Sequence, residues 1–99
     1  MDFAFKSDKE ILAELGRRFK EARINSSFTQ QELAKHTGVS RTTITRLEGG
    51  LGISLTHFIA LIRAVDHIND LSKIINVRQF IDPEKEFKKQ QAQSKRVRH

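Results

Sequence analysis

The sequence of 99 residues predicts an all-α fold of five short helices followed by a basic C-terminal tail. Helix-start signals, in which Ser or Thr precedes an apolar run, recur along the chain. Apolar residues return at the spacing of a half-buried helix. There is no cysteine, which excludes a disulfide framework, an iron–sulfur cluster and a thiolate zinc site.

The first two helices are predicted over residues 8–25 and 30–37, and each begins at a capping box. Ser7 with Glu10 has the required spacing for the first helix, and Thr29 with Glu32 has it for the second. The second helix is expected to stop before Gly38, because glycine suits the left-handed residue that ends a helix.

The third and fourth helices are predicted over residues 41–48 and 55–65, and each begins at a serine N-cap. Apolar residues flank these caps at the positions of a hydrophobic staple. The staple pairs are Val39 with Ile44 around Ser40, and Ile53 with Phe58 around Ser54. Gly49 and Gly50 end the third helix.

The helical signal weakens after Asp66. Asn69 and Asp70 are candidate N-caps of a fifth helix, which would carry Leu71, Ile74 and Ile75. Residues 77–81 fit a helix end or a short strand. Asp82-Pro83 is a good helix start for a marginal helix over 84–91. The end of the chain, from about residue 90, is expected to be disordered when free. We therefore expect a domain over residues 8–76 and a contact segment with a flexible tail over residues 77–99.

Positive charge is concentrated at the end of the chain. Residues 1–84 carry a net charge of +1, and residues 85–99 carry +5. Such an arm is attracted to polyanions, nucleic acid first, although a merely solvated tail is the alternative. The cations are Lys85, Lys88, Lys89, Lys95, Arg96 and Arg98. We expect them to make nonspecific contacts with DNA or with a partner protein.

No stretch of the sequence is typical of a signal peptide or a membrane span. The longest apolar stretch, residues 58–65, is interrupted by Arg63 and is far shorter than the ~20 residues that a bilayer requires. We therefore expect a cytoplasmic protein with no membrane partner.

The second and third helices are joined by only Gly38, Val39 and Ser40, so they must cross steeply. This is helix-turn-helix geometry, in which the second helix of the pair can enter a DNA major groove. Its outward face carries hydroxyl and guanidinium groups that can read base edges or hold phosphates. These residues are Arg41, Thr42, Thr43, Thr45 and Arg46. A hairpin that only packs a core would leave this face unexplained.

The run from Thr29 to Gly50 resembles the Xre/Cro-repressor family of helix-turn-helix regulators. The shared pattern is Thr-Gln, Leu-Ala, Gly-apolar-Ser, an isoleucine and then Leu-Glu-Gly, and the likeness spans about residues 11–75. The resemblance implies a lambda-repressor-like domain of five helices. It also implies a homodimer that binds palindromic double-stranded operator DNA and usually represses.

The resemblance also implies roles for individual residues. Gln30 would hydrogen-bond a phosphate and brace the third helix. Ser40, Arg41 and Thr42 would face the groove first, with Thr45 and Arg46 further along. Arg23 matches a family arginine that pairs with Glu48, and we expect a partly buried pair that ties the first helix to the end of the third, rather than a surface bridge.

A further resemblance concerns the part after the third helix. Residues 49–66 and the basic, glutamine-rich end of the chain are similar to the HipB-like antitoxins, which repress their own operon and bind a HipA-like kinase toxin. The alternatives are a stand-alone repressor of phage or restriction-control type, in a bacterial or phage setting, and a module that mainly inhibits a toxin by contact.

The dimer surface is expected in the fifth helix and the segment after it, which are rich in apolar residues. Those residues are Leu71, Ile74, Ile75, Val77, Phe80 and Ile81. Among them we expect Leu71 and Ile74 in the intramolecular core, and Phe80 and Ile81 in the interface.

The sequence argues against an enzyme. The histidines His36, His57, His67 and His99 show no metal-ligand spacing. The glycines at 49–52 follow no strand and precede no Lys-Thr pair, so they are not a phosphate loop. We expect Glu10 and Glu14 to lie on an exposed, solvated helix face among Lys and Arg. We expect no metal, no cofactor and no small-molecule substrate.

Overall fold

The computed structural model describes residues 2–75, and this part of the chain is helical, with no strand. The α-helices are α1 (Asp8–Asn25), α2 (Gln30–Thr37), α3 (Arg41–Glu48) and α4 (Leu55–Ala64). Two 3-10 helices, Phe3–Phe5 and Ile68–Lys73, flank them. None of the helices within residues 2–75 is long and apolar enough to cross a membrane.

The four α-helices begin at the predicted residues because each predicted N-cap is formed. In the capping box of α1 the Ser7 Oγ accepts the Glu10 N–H at 3.1 Å, and the Glu10 carboxylate accepts the Ser7 N–H at 3.2 Å. Thr29 and Glu32 repeat this exchange at the start of α2. Gly38 ends α2 in the left-handed region, with φ of 77°, as predicted.

The prediction for the fifth helix is wrong in its type and its cap. The segment is a 3-10 helix that starts at Ile68, ahead of both predicted caps, and its N-cap residue His67 makes no side-chain cap hydrogen bond. Side chains three residues apart align in a 3-10 helix. Ile68 and Leu71 therefore both pack against the core.

The expectation that Ile74 belongs to the core is also wrong. The 3-10 helix ends at Lys73, and Ile74 has extended backbone and a 58% exposed side chain. Ile75 follows with a positive φ of 51° and is 85% exposed. The 3-10 helix has ended before these two residues, so its three-residue spacing no longer places their side chains against the core.

The core lies between the four α-helices and holds the inward residues of each. Its buried members are Phe19, Leu33, Val39, Ile44, Leu47, Leu61, Ile62 and Val65. Three of them come from α3 and the turn before it, as predicted for the helix-turn-helix. Because α3 buries one face completely, its opposite face must point outward.

The α1 helix approaches the end of α3 by direct backbone contact. A Cβ at Gly16 would overlap the carbonyl oxygen of Leu47 and lie 3.1 Å from that of Glu48. Gly50, with φ of 78°, packs against the backbone of Ala13 in the same way. The end of α3 is therefore seated on α1 without an intervening side chain.

Several predictions concern residues outside the described part of the chain. These are the helix end or strand over 77–81, the interface residues Val77, Phe80 and Ile81, the helix over 84–91 and the basic tail.

Within residues 2–75, one element lacked any prediction. The 3-10 helix Phe3–Phe5 places the Phe3 ring 5.2 Å from the Arg18 guanidinium carbon.

Candidate nucleic-acid interface

The outward face of α3 exposes the side chains that the sequence singled out. Arg41, Thr42, Thr45 and Arg46 are exposed, and Thr43 is half-buried. The intervening Ile44 and Leu47 are in the core, so the helix presents one polar face only. Residues 41–46 include no carboxylate.

The hydroxyl groups at the start of α3 are used for capping. The Ser40 Oγ accepts the Thr43 N–H at 3.1 Å, and the two hydroxyl oxygens lie 2.9 Å apart in a further hydrogen bond. Ser40 remains exposed, so the capping pair lies at the edge of the polar face.

Arg41 is placed beside the start of α2. It lines an open cleft of about 460 Å³ together with residues at the end of α1 and the start of α2, among them Ile24, Phe28 and Gln31. Among the described residues no hydrogen bond or ion pair holds the Arg41 guanidinium. This side chain is therefore free to reach a phosphate or a base edge.

Arg46 is held against the turn that follows α3. Its Nε and Nη2 donate to the carbonyl oxygen of Gly52 at 3.4 and 3.2 Å. This edge of the guanidinium is occupied by a contact within the protein. Arg46 is thus less free than Arg41 to form a bidentate pair with a base.

Arg23 and Glu48 form a bidentate ion pair between α1 and the end of α3. The Arg23 Nε lies 2.6 Å from Glu48 Oε2, and Nη2 lies 3.0 Å from Oε1. The two side chains are only 10% and 5% exposed. The Arg23 Nη1 also donates to the Phe28 carbonyl at 2.7 Å, so the pair anchors the turn before α2 as well.

Gln30 extends this ion pair toward the exposed face of α3. Its Nε2 donates to Glu48 Oε1 at 3.1 Å, and its Oε1 accepts from the Thr45 hydroxyl at 3.3 Å. Both ends of the Gln30 amide therefore contact α3. These contacts link the start of α2 to α3, and the bracing and phosphate-binding roles that the resemblance implies for Gln30 stay predictions.

The two carboxylates beside this face accept hydrogen bonds within the protein. Glu48 is paired with Arg23, and in α2 the Thr29 N–H donates to the Glu32 carboxylate and lowers the pKa of Glu32. Both carboxylates contact donors of the protein itself. The outward face of α3 itself carries two guanidinium groups, Arg41 and Arg46, and no carboxylate.

Two features of the face have no signal in the sequence. The Arg46 contact to the Gly52 carbonyl and the Thr45 contact to Gln30 each join residues that come together through the turn of the chain or the packing of α2 on α3. Neither contact follows a fixed sequence spacing.

In the described part of the chain, no group of three or more His, Asp and Glu side chains could hold a metal ion.

Comparison with known protein families assigns the chain to a family. No curated protein matches the chain. The sequence profile of a family described as helix-turn-helix domain matches residues 14–66, which is more than half of the chain. The matched part runs from α1 to the end of α4 and includes all of α2 and α3. The chain therefore belongs to the helix-turn-helix domain family.

Proposed function

We propose that this protein is a sequence-specific DNA-binding transcriptional regulator that inserts α3 into the major groove of double-stranded DNA. The observation that carries the proposal is the outward face of α3, which is exposed, free of carboxylates and seated on a buried core. A rigidly held helix with guanidinium and hydroxyl groups is what base readout requires.

The residues of the face divide by what they offer to DNA. Arg41 is unpaired among the described residues and is the strongest candidate for base readout, because a guanidinium matches the two acceptors of guanine. Thr42 and Thr45 present methyl and hydroxyl groups further along. Ser40, Thr43 and Gln30 lie at the edge, where phosphates pass, and Arg46 is suited to a phosphate contact.

The proposal includes a homodimer. One helix-turn-helix unit reads only a few base pairs, so useful specificity requires two copies on a two-fold operator, with half-sites about one helical turn apart. The exposed Ile74 and Ile75 offer apolar surface for such an association. Residues 77–99 would extend it.

The finer proposal is an autorepressing antitoxin of a HipA-type operon, with a HipA-like kinase as protein partner. It is supported by the sequence likeness of residues 49–66 and of the basic chain end to HipB-like antitoxins. In this proposal the protein is cytoplasmic, is not an enzyme, and binds no metal, cofactor or small-molecule substrate. A stand-alone repressor and a contact inhibitor of a toxin are the competing functions.

DNA binding is tested by selecting bound duplexes from a random pool. The wild type should enrich a two-fold sequence. Arg41→Ala should cost about 1–3 kcal/mol of binding free energy and relax the preference at one position in each half-site. Arg63→Ala, at an exposed position of α4, serves as the matched control and should retain the full preference. Enrichment of no sequence by the wild type would contradict the proposal.

The finer function is tested by a pull-down of the tagged chain from its native host, with and without nuclease treatment. Recovery of a kinase after nuclease treatment supports the antitoxin function. Recovery of DNA without a protein partner supports the stand-alone repressor. Toxin neutralisation that survives Arg41→Ala, together with loss of repression, would separate protein contact from DNA binding.

A further inference from the structure

The direction of one hydrogen bond beside the outward face of α3 follows from the chemistry of its partners. The Glu48 carboxylate is paired with Arg23, and a carboxylate can only accept. The Gln30 group that faces it at 3.1 Å must therefore be the amide nitrogen. The orientation of the Gln30 side chain is thus imposed by the ion pair between α1 and α3.

The same orientation decides which way the next hydrogen bond runs. With its nitrogen on Glu48, Gln30 presents its Oε1 to the Thr45 hydroxyl, 3.3 Å away. An amide oxygen can only accept, so the single hydroxyl proton of Thr45 must be donated to Gln30. Thr45 is exposed, and the two lone pairs of its hydroxyl oxygen and its methyl group are what it can offer to a ligand.

We infer that Thr45 is a specificity-determining residue that favours thymine or cytosine over guanine, and that Gln30 enforces this choice by holding the Thr45 hydroxyl proton. The inference rests on the proposed function, in which α3 lies in the major groove. There, thymine offers a methyl group to the Thr45 methyl, and cytosine offers an amino donor to its lone pairs. Guanine offers only acceptors, which the lone pairs repel.

Thr42 provides an internal comparison on the same helix. It is exposed like Thr45, but no hydrogen bond from another described residue occupies its hydroxyl. Thr42 can therefore donate as well as accept, and it carries no such restriction against guanine. The two threonines differ in specificity because only one of them contacts Gln30.

The test compares the bases that the full-length wild type and its variants select from a random duplex pool. Thr45→Ser removes the methyl group and should lower thymine about fourfold relative to cytosine at one position of each half-site. Thr45→Val removes the hydroxyl and should lower cytosine about fivefold relative to thymine at that same position. These two variants locate the base that Thr45 contacts.

Gln30→Met then tests the positioning role. It frees the Thr45 hydroxyl proton, so guanine should become accepted at the Thr45 position while the other positions keep their preferences. Thr42→Val is the matched control and should alter a different position. Circular dichroism verifies that each variant is folded. If Gln30→Met does not fold, the opposite changes in thymine and cytosine preference of Thr45→Ser and Thr45→Val decide the inference.

Two results would overturn the inference while leaving DNA binding intact. One is a wild-type preference for guanine at the Thr45 position. The other is a folded Gln30→Met variant that binds all duplexes more weakly with an unchanged base profile. Enrichment of no sequence by the wild type would instead defeat the proposed function, so the two failures are distinguishable.

Discussion

At the residue scale, the ion pair of Arg23 and Glu48 holds together the parts that make the candidate nucleic-acid interface. It joins α1 to the end of α3, its guanidinium reaches the Phe28 carbonyl, and its carboxylate orients Gln30. A nearly buried charge that loses its partner remains desolvated without compensation. Removing one member of the pair should therefore cost much more than removing an exposed charge.

We expect Arg23→Met to lower the free energy of unfolding by about 3–5 kcal/mol, since Glu48 would be left without its counter-charge. The measurement is urea unfolding followed by far-ultraviolet circular dichroism. Arg63→Met, the same substitution at an exposed site of α4, should change stability by no more than about 0.5 kcal/mol. Equal losses in the two variants would show that the pair is only a surface bridge.

At the element scale, the seat of α3 on α1 depends on the absence of a side chain at Gly16. Alanine normally stabilises a helix interior relative to glycine by ~0.5–1 kcal/mol. At this position the added Cβ would overlap the Leu47 carbonyl oxygen, which belongs to backbone and cannot rotate away. We therefore expect alanine at position 16 to lower the stability of the domain instead of raising it.

Gly16→Ala should destabilise the domain by about 1–3 kcal/mol, because α1 and α3 must separate to accommodate the methyl group. The change is measured by the same urea unfolding. Gly52→Ala is the control, since a Cβ there meets no atom within 4 Å, and its effect should be near zero or slightly stabilising. A Gly16→Ala variant as stable as Gly52→Ala would contradict this close approach of the two helices.

The elements also show which kinds of interaction a sequence reveals. The caps at Ser7, Thr29, Ser40 and Ser54 were predictable because each joins residues three apart, whatever the rest of the chain does. The segment after Asp66 was not predictable in type, because competing cap residues gave no clear local preference. Packing of Ile68 and Leu71 on the core accompanies the 3-10 form.

At the scale of the whole molecule, acid should destabilise the fold through carboxylates whose pKa values are lowered in the folded state. The Arg17 guanidinium, by hydrogen bond and charge, lowers the pKa of Glu14 from 4.5 to about 2. The capping hydrogen bonds of Ser7 and Thr29 lower the pKa values of Glu10 and Glu32. A lowered folded pKa stabilises the fold above the unfolded value, and this stabilisation is lost as protons bind.

We therefore expect the urea midpoint to fall as the pH decreases from about 4.5 toward about 2, the window set by Glu14. Glu14→Gln has no carboxylate to protonate and should show a shallower decrease over that window. The measurement is a series of urea titrations across the acid range. Parallel curves for the wild type and the variant would mean that Arg17 does not lower the pKa of Glu14.

A second prediction at this scale concerns the cations beyond the described residues. Replacing Lys85, Lys88, Lys89, Lys95, Arg96 and Arg98 with glutamine should weaken binding to all duplexes alike. The slope of log affinity against log salt should become less steep by about 0.9 for each phosphate that these cations neutralise in the wild type. An unchanged slope would assign these residues to a protein partner instead of DNA.

Local sequence signals were sufficient to predict the helical class of the described residues, the bounds of α1 to α3 and the start of α4, because caps and apolar periods act over one or two turns. The resemblance of the sequence to a helix-turn-helix family also pointed to Arg23 and Glu48. Three properties could be seen only in the packed molecule: Gly16 must lack a side chain, Arg46 is held by the Gly52 carbonyl, and Gln30 accepts the Thr45 hydroxyl proton. These properties depend on distances between elements, which arise when the helices pack.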